Sequence, residues 1–136
     1  MKSFLFVCIE NSNRSQMAQA FATMHGGAQV AAFSAGSRPS GIINPKAIAA
    51  MAELGYDLST HASKSLDEVR DQSFDYVVTM GCGDACPFIA AQHRRDWQIP
   101  DPKHLEPAEF RQVRDLVERQ VLALLKEAGV ATVAAP

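Results

Sequence analysis

Four side chains in this sequence could carry out bond-making chemistry together: Cys8, Arg14, Cys82 and Cys86. The first two belong to the string Cys8-Ile9-Glu10-Asn11-Ser12-Asn13-Arg14-Ser15, in which five residues separate a cysteine from an arginine. Five residues suffice to turn the backbone N–H groups of Ile9, Glu10, Asn11, Ser12 and Asn13 onto one tetrahedral oxyanion, and a helix starting just after them adds the positive end of its dipole. The same field, with the Arg14 guanidinium beside it, favours thiolate over thiol at Cys8. Arg14 presents a planar fork that can hold two equatorial oxygens, better in a trigonal bipyramidal transition state than in the ground state. Ser15 can hydrogen-bond the Cys8 sulfur and Asn11 can brace the loop. The bland alternative makes Cys8 a buried strand residue and Arg14 a surface helix residue; the strand-to-helix junction is what argues against it.

The second group is Met80-Gly81-Cys82-Gly83-Asp84-Ala85-Cys86-Pro87. On a regular helix, residues four apart have Cβ atoms about 5–6 Å apart, beyond the roughly 3.5–4.5 Å of a disulfide. Gly81 and Gly83 supply backbone freedom and Pro87 blocks a regular helix, so this segment is expected to be mobile and able to rearrange. Two buried loop cysteines are the plain alternative. A zinc site would have to recruit His93 or His104, but Cys-x3-Cys is not the usual zinc spacing.

Composition narrows the setting. The 136 residues are 47% apolar and 21% charged, which suits one soluble domain with one core and one site. A net charge of −2 comes from interleaved acids and bases, with no basic stripe to neutralise a row of phosphates, so no nucleic-acid partner is expected. The apolar run at 4–9 is too short for a secretory signal and no stretch approaches membrane-spanning length. The expectation is a cytoplasmic protein with no membrane partner. There thiols are kept reduced, so three cysteines read as catalytic, redox-active or buried, not as a structural framework.

The elements that must position these residues follow from periodicity. A continuous apolar run at 4–8 reads as a strand buried on both faces, followed by a polar turn at 10–13. Met17, Ala18, Phe21, Ala22 and Met24 fall at helical spacing over 15–25, with Gly26 and Gly27 as the stop. A second strand is expected at 28–33, ending in the turn-prone stretch 34–41. Asn44 caps a helix that starts with Pro45 and stops at Gly55, and Ser65 with Glu68 fits a capping box. A third strand is expected at 76–80 and a short fourth at 95–99 within an irregular stretch 81–103. The last helix is expected at 107–128. Alternating strands and helices predict a parallel sheet covered on both sides, with 1–129 as one domain and 130–136 as a flexible tail.

The segment 7–18 resembles the signature loop of the low-molecular-weight protein tyrosine phosphatase family and its arsenate reductase branch, where the pattern is Cys, two residues, Asn, two residues, Arg, Ser; Gln16-Met17-Ala18 is typical of the reductases. Ser34-Ala35-Gly36, Asn44-Pro45-Lys46-Ala47, Gly55-Tyr56-Asp57-Leu58-Ser59-Thr60-His61 and Phe74-Asp75-Tyr76-Val77-Val78-Thr79-Met80 extend the resemblance in order along nearly the whole chain. It implies an α/β fold of three layers, a four-stranded parallel sheet flanked by helices, flavodoxin-like in kind. It also implies reduction of arsenate to arsenite: Cys8 as nucleophile on an arsenate or phosphate oxyanion, Cys82 attacking the adduct, and Cys86 taking over the disulfide. Thioredoxin, or a small thiol such as glutathione or mycothiol, would then be the reductant, with no bound cofactor and a monomeric enzyme. The alternative is a phosphatase working through a Cys8 phospho-enzyme; it needs neither Cys82 nor Cys86.

Ile99-Pro100-Asp101-Pro102 resembles the family's acid loop, which implies Asp101 as general acid, with Asp96 a nearby competitor. Glu10 stands where most members have glycine, and its side chain either points outward or adds negative charge at the rim. Some members bind potassium beside the loop; Asn11, Ser34 and Asp67 are the matching positions, but Gln19 replaces a glutamate, and no metal is assigned. His25 and His61 read as structural histidines and Met17, Phe21 and Met51 as core. Lys64, Arg94, Arg95 and Lys103 could steer an oxyanion, although solvated surface charge is the simpler account of them.

Overall fold

The computed structural model describes residues 1–81 and 89–132 of the chain. Four strands, β1 (Lys2–Cys8), β2 (Val30–Gly36), β3 (Ser73–Thr79) and β4 (Ala90–Asp96), form one parallel sheet in the order β2-β1-β3-β4. Three helices, α1 (Arg14–Gly26), α2 (Pro45–Ala52) and α3 (Pro107–Glu127), connect or follow them.

Alternation along β1 sorts the core into two layers. Phe4, Phe6 and Cys8 point to the face covered by the helices, where they join Met17, Phe21, Met51, Phe110, Val117 and Leu125. Leu5 and Val7 point to the other face and pack with Leu66, Val69, Phe74, Val77 and Ile89. A strand buried on both faces reads as a continuous apolar run, and β1 does. The chain leaves β1 towards β2 on one side and reaches β3 on the other, so the carboxyl end of β1 is the point where the strand order diverges. A crevice forms at such a point in open parallel sheets.

Caps set the helix starts. Asn13 precedes α1 with its side chain accepting from the Arg14 N–H, Asn44 caps α2 ahead of Pro45, and the capping box of Ser65 and Glu68 closes a single 3₁₀ turn, Leu66–Glu68. Several expected boundaries move; the third strand, for example, runs Ser73–Thr79 and not 76–80. The turn-like Ser34-Ala35-Gly36 is strand: Ser34 pairs with Phe6, Ala35 with Val7 and Gly36 with Cys8, because parallel pairing to a buried strand outweighs local turn preference. The fourth strand lies at Ala90–Asp96 and not at 95–99. It is an edge strand of mostly exposed, polar residues, so it carries little hydrophobic signal. After α3, Val130 is buried with its N–H on the Leu125 carbonyl, and the Ala131 carbonyl accepts from the Gln29 side chain.

Candidate functional site

The loop from Cys8 to Arg14 sits at the carboxyl end of β1 with its carbonyls turned outward. Those of Cys8, Ile9, Glu10 and Ser12 accept the N–H groups of Ser37, Arg38, Ser40 and Asn44, and that of Asn11 accepts the Gln16 amide. A trans peptide holds each carbonyl opposite the following N–H. The N–H groups of Ile9, Glu10, Asn11, Ser12 and Asn13 are therefore directed inward, away from the scaffold that binds the carbonyls. Two features allow this path. Asn11 adopts φ 51°, a left-handed conformation that asparagine tolerates. Gly36 has no Cβ, and one there would lie 2.6 Å from the Ile9 carbonyl oxygen.

Buried side chains lock the loop. Asn11 donates to Ser15 Oγ (2.7 Å), and its Oδ1 accepts from Gln16 Nε2 (2.8 Å) and the Lys64 N–H (2.8 Å). Because Asn11 occupies one acceptor site on Ser15, the Ser15 hydroxyl proton is free to point at Cys8 Sγ, 2.8 Å away. Gln16 spends its amide protons on Asn11 and the Ala62 carbonyl, so its Oε1 is the acceptor for His61 Nδ1 at 2.9 Å. His61 is therefore protonated on Nδ1, leaving Nε2 to accept the Tyr56 hydroxyl at 2.5 Å. Burial, reinforced by the charge on Lys64, holds His61 below its ordinary value of 6.5 and favours this neutral form. Burial also raises Tyr56, with the Asp57 charge adding to it.

Arg14 is buried to within 6% of its surface. One terminal nitrogen donates to the Ile99 carbonyl (3.1 Å), the other lies 3.7 Å from Asp101 Oδ2, and Nε is the one buried side-chain polar atom without a hydrogen-bond partner among the described residues. Gly81, at φ 90°, lies against it: a Cβ there would come within 2.7 Å of the guanidinium. The backbone leaving β3 thus passes directly over Arg14.

The loop after β4 supplies the opposite wall. Trp97 and Ile99 root it in the core, and Asp101 stands at the surface. Asp101 accepts from Asn13 Nδ2 (3.3 Å) and the Lys103 N–H (3.1 Å). Lys46 on α2 reaches across to the carbonyls of Lys103 and Leu105. The Glu10 side chain points out of the loop and meets Lys103 Nζ at 3.0 Å. Asp96 instead accepts from Thr79 and Gln98, away from Arg14.

Of the sites expected from sequence, residues 8–15 and Asp101 are brought together here. Cys82 and Cys86 lie outside the described residues. At the positions matched to a potassium site, Asn11 is engaged as above, Ser34 donates to Gln19, and Asp67 pairs with Arg70. Gln16, Gly36 and the contact of Gly81 with Arg14 are not among the site residues expected from sequence; His61, expected to be structural, braces the site, and Lys64 joins it through its backbone and not through the charge the sequence suggests. Gln16 was in view within the Arg-Ser-Gln string, whereas nothing local marks Lys64, whose backbone does the bonding.

The family described as low molecular weight phosphotyrosine protein phosphatase matches residues 3–133. The glutaredoxin arsenate reductase of Synechocystis sp. is 37% identical over 128 residues, covering 92% of this chain and 97% of that protein. An arsenate reductase solved in a phosphate-binding state superimposes with a TM-score of 0.86 at 35% identity, covering 96% of this chain and all of the other. A thioredoxin-dependent arsenate reductase of Corynebacterium glutamicum gives a TM-score of 0.77 at 32% identity, over 93% of this chain and 61% of that one.

Proposed function

The chain belongs to the low-molecular-weight phosphotyrosine protein phosphatase family, and from that premise we propose that it reduces arsenate to arsenite, with thiols supplying both electrons. Bound oxyanion is held by the inward N–H groups of 9–13 and by Arg14, whose buried Nε needs an acceptor. The Cys8 thiolate attacks arsenic, and Asp101 protonates the departing oxygen, which leaves as water. Cys82 then attacks the Cys8 sulfur; the S–As bond breaks, its electron pair stays on arsenic, and arsenite leaves with Cys8 and Cys82 joined. Cys86 attacks Cys82, freeing Cys8, and an external dithiol protein or small thiol reduces the Cys82–Cys86 pair.

The observation that carries this reading is the contact between Gly81 and Arg14. The residue next in sequence to that contact is Cys82, and a second thiol adjoining Gly81 in the chain is what a relay requires and a simple phosphatase does not. A relay of this kind works in a reducing compartment as a single chain, which makes a cytoplasmic monomer the natural setting.

The test is arsenate reduction by the purified protein with NADPH and either the thioredoxin or the glutaredoxin system. Cys8→Ser, Cys82→Ser and Cys86→Ser should each abolish turnover. Loss in the first two alone would reduce the relay to two cysteines with a small thiol completing it. Phosphomonoester hydrolysis indifferent to Cys82 and Cys86, without arsenate turnover, would instead leave a phosphatase. Gly81→Ala, which pushes on the guanidinium, should weaken inhibition by inorganic phosphate about tenfold or more; unchanged inhibition would remove the argument from that contact.

A further inference from the structure

Around the mouth of the cradle runs a closed circuit of polar contacts. Glu10, on the signature loop, holds Lys103 Nζ at 3.0 and 3.2 Å; the Lys103 N–H holds Asp101 Oδ1; Asp101 Oδ2 faces Arg14; and Arg14 ends the same loop on which Glu10 stands. The ion pair also lines a cleft of about 330 Å³ beside the cradle, with Ser12, Ile42, Asn44 and His104 among its other walls. It therefore ties the loop that grips the oxyanion to the loop that carries the acid, and it does so outside Asp101.

A general acid must touch the oxygen that leaves. In arsenate that oxygen carries only a proton. In a phosphomonoester it carries the organic group, which has to run outward past Asp101, into the region where Glu10 and Lys103 meet. We propose that the Glu10–Lys103 pair is a specificity device, excluding esters from the cradle while admitting inorganic oxyanions. This deepens the arsenate reductase reading and rests on it. Discrimination by an obstacle to the wrong substrate costs the right one little. The pair is partly exposed, with side chains 34% and 45% accessible, so it favours its closed arrangement only by a factor of about two to five. Lys103 also keeps the mouth neutral, since an unpaired Glu10 carboxylate would repel any arriving anion.

The experiment compares wild type, Glu10→Ala, Lys103→Ala, the double variant and the exchanged pair Glu10→Lys/Lys103→Glu. It measures hydrolysis of p-nitrophenyl phosphate, reduction of arsenate, and inhibition by inorganic phosphate. Ester kcat/KM should rise about three- to fivefold relative to arsenate kcat/KM in both Lys103→Ala and Glu10→Ala, the range that opening a pair of this strength allows. The double variant should resemble Glu10→Ala, because one barrier is removed only once. The exchanged pair should restore discrimination, which a loss of packing at either position would not allow. A ratio unchanged within twofold in both single variants would overturn the proposal, as would changes that multiply in the double variant. If wild type reduces no arsenate, the reductase reading fails on that arm alone, and the ester series still reports whether the pair obstructs esters.

Discussion

The loop after β1 and the loop after β4 face each other across one site, yet they are built in opposite ways. Between 8 and 14 every carbonyl that turns outward is bonded to scaffold, and the side chains that lock the path, Asn11, Ser15 and Gln16, are buried. Between 100 and 106 the chain is largely exposed, held by Lys46, by the Glu10–Lys103 pair and by its root at Trp97 and Ile99. Neutral hydrogen bonds in a dry interior resist both salt and motion, whereas solvated ion pairs contribute about 0–1 kcal/mol each. The contrast suits the chemistry. The group that binds the anion must be in place beforehand, because reorganising dipoles during reaction is costly. The loop that bears Asp101, the acid of the proposed reaction, can shift, because substrate and product would have to pass it.

This contrast can be broken most directly at Asn11. Asn11→Ala removes the partner of Ser15, Gln16 and the Lys64 N–H and leaves buried polar groups unmet, so stability should fall by ~2–4 kcal/mol and turnover to about one hundredth or less. Denaturant unfolding alongside kinetics checks this; a loss below ~1 kcal/mol would mean that the loop holds its shape without that network. At the acid loop the corresponding cut should be mild. Lys46→Ala removes a surface donor to two carbonyls and should cost under ~1 kcal/mol of stability while slowing turnover about two- to fivefold. An effect as large as that of Asn11→Ala would erase the distinction between the loops.

The smallest effect concerns pH. His61 is depressed in the folded protein, so between its native value and 6.5 the unfolded chain binds more protons than the folded one. Its contribution is thus fully present above about 6.5 and is lost as pH falls through the native value. The melting temperature should decline on acidification in this window, and the decline should flatten in His61→Gln. Equal slopes in the two proteins would assign the acid sensitivity to other groups.

Much of this was legible in advance, for identifiable reasons. The strand at 4–8 announced itself as an unbroken apolar run, Asn44-Pro45 announced a helix start, and Ser65 with Glu68 announced a cap, because each is decided by contacts within a few residues. The spacing from Cys8 to Arg14 marked the cradle, since five residues and a helix start fix what the backbone can wrap. The fourth strand lies earlier than the pattern at 95–99 suggests because an edge strand such as Ala90–Asp96 is selected by pairing with β3, not by its own polar residues.

The sequence by itself determined which groups could react and the local shape of the loop that presents them, since both depend on residue types at short separation. Only the tertiary structure decided that the backbones of Gly36 and Lys64 brace that loop, that Gly81 passes over Arg14, and that Glu10 turns outward to Lys103. Each joins residues 25 or more positions apart, and such contacts are chosen by how the sheet and helices pack, which no local pattern encodes.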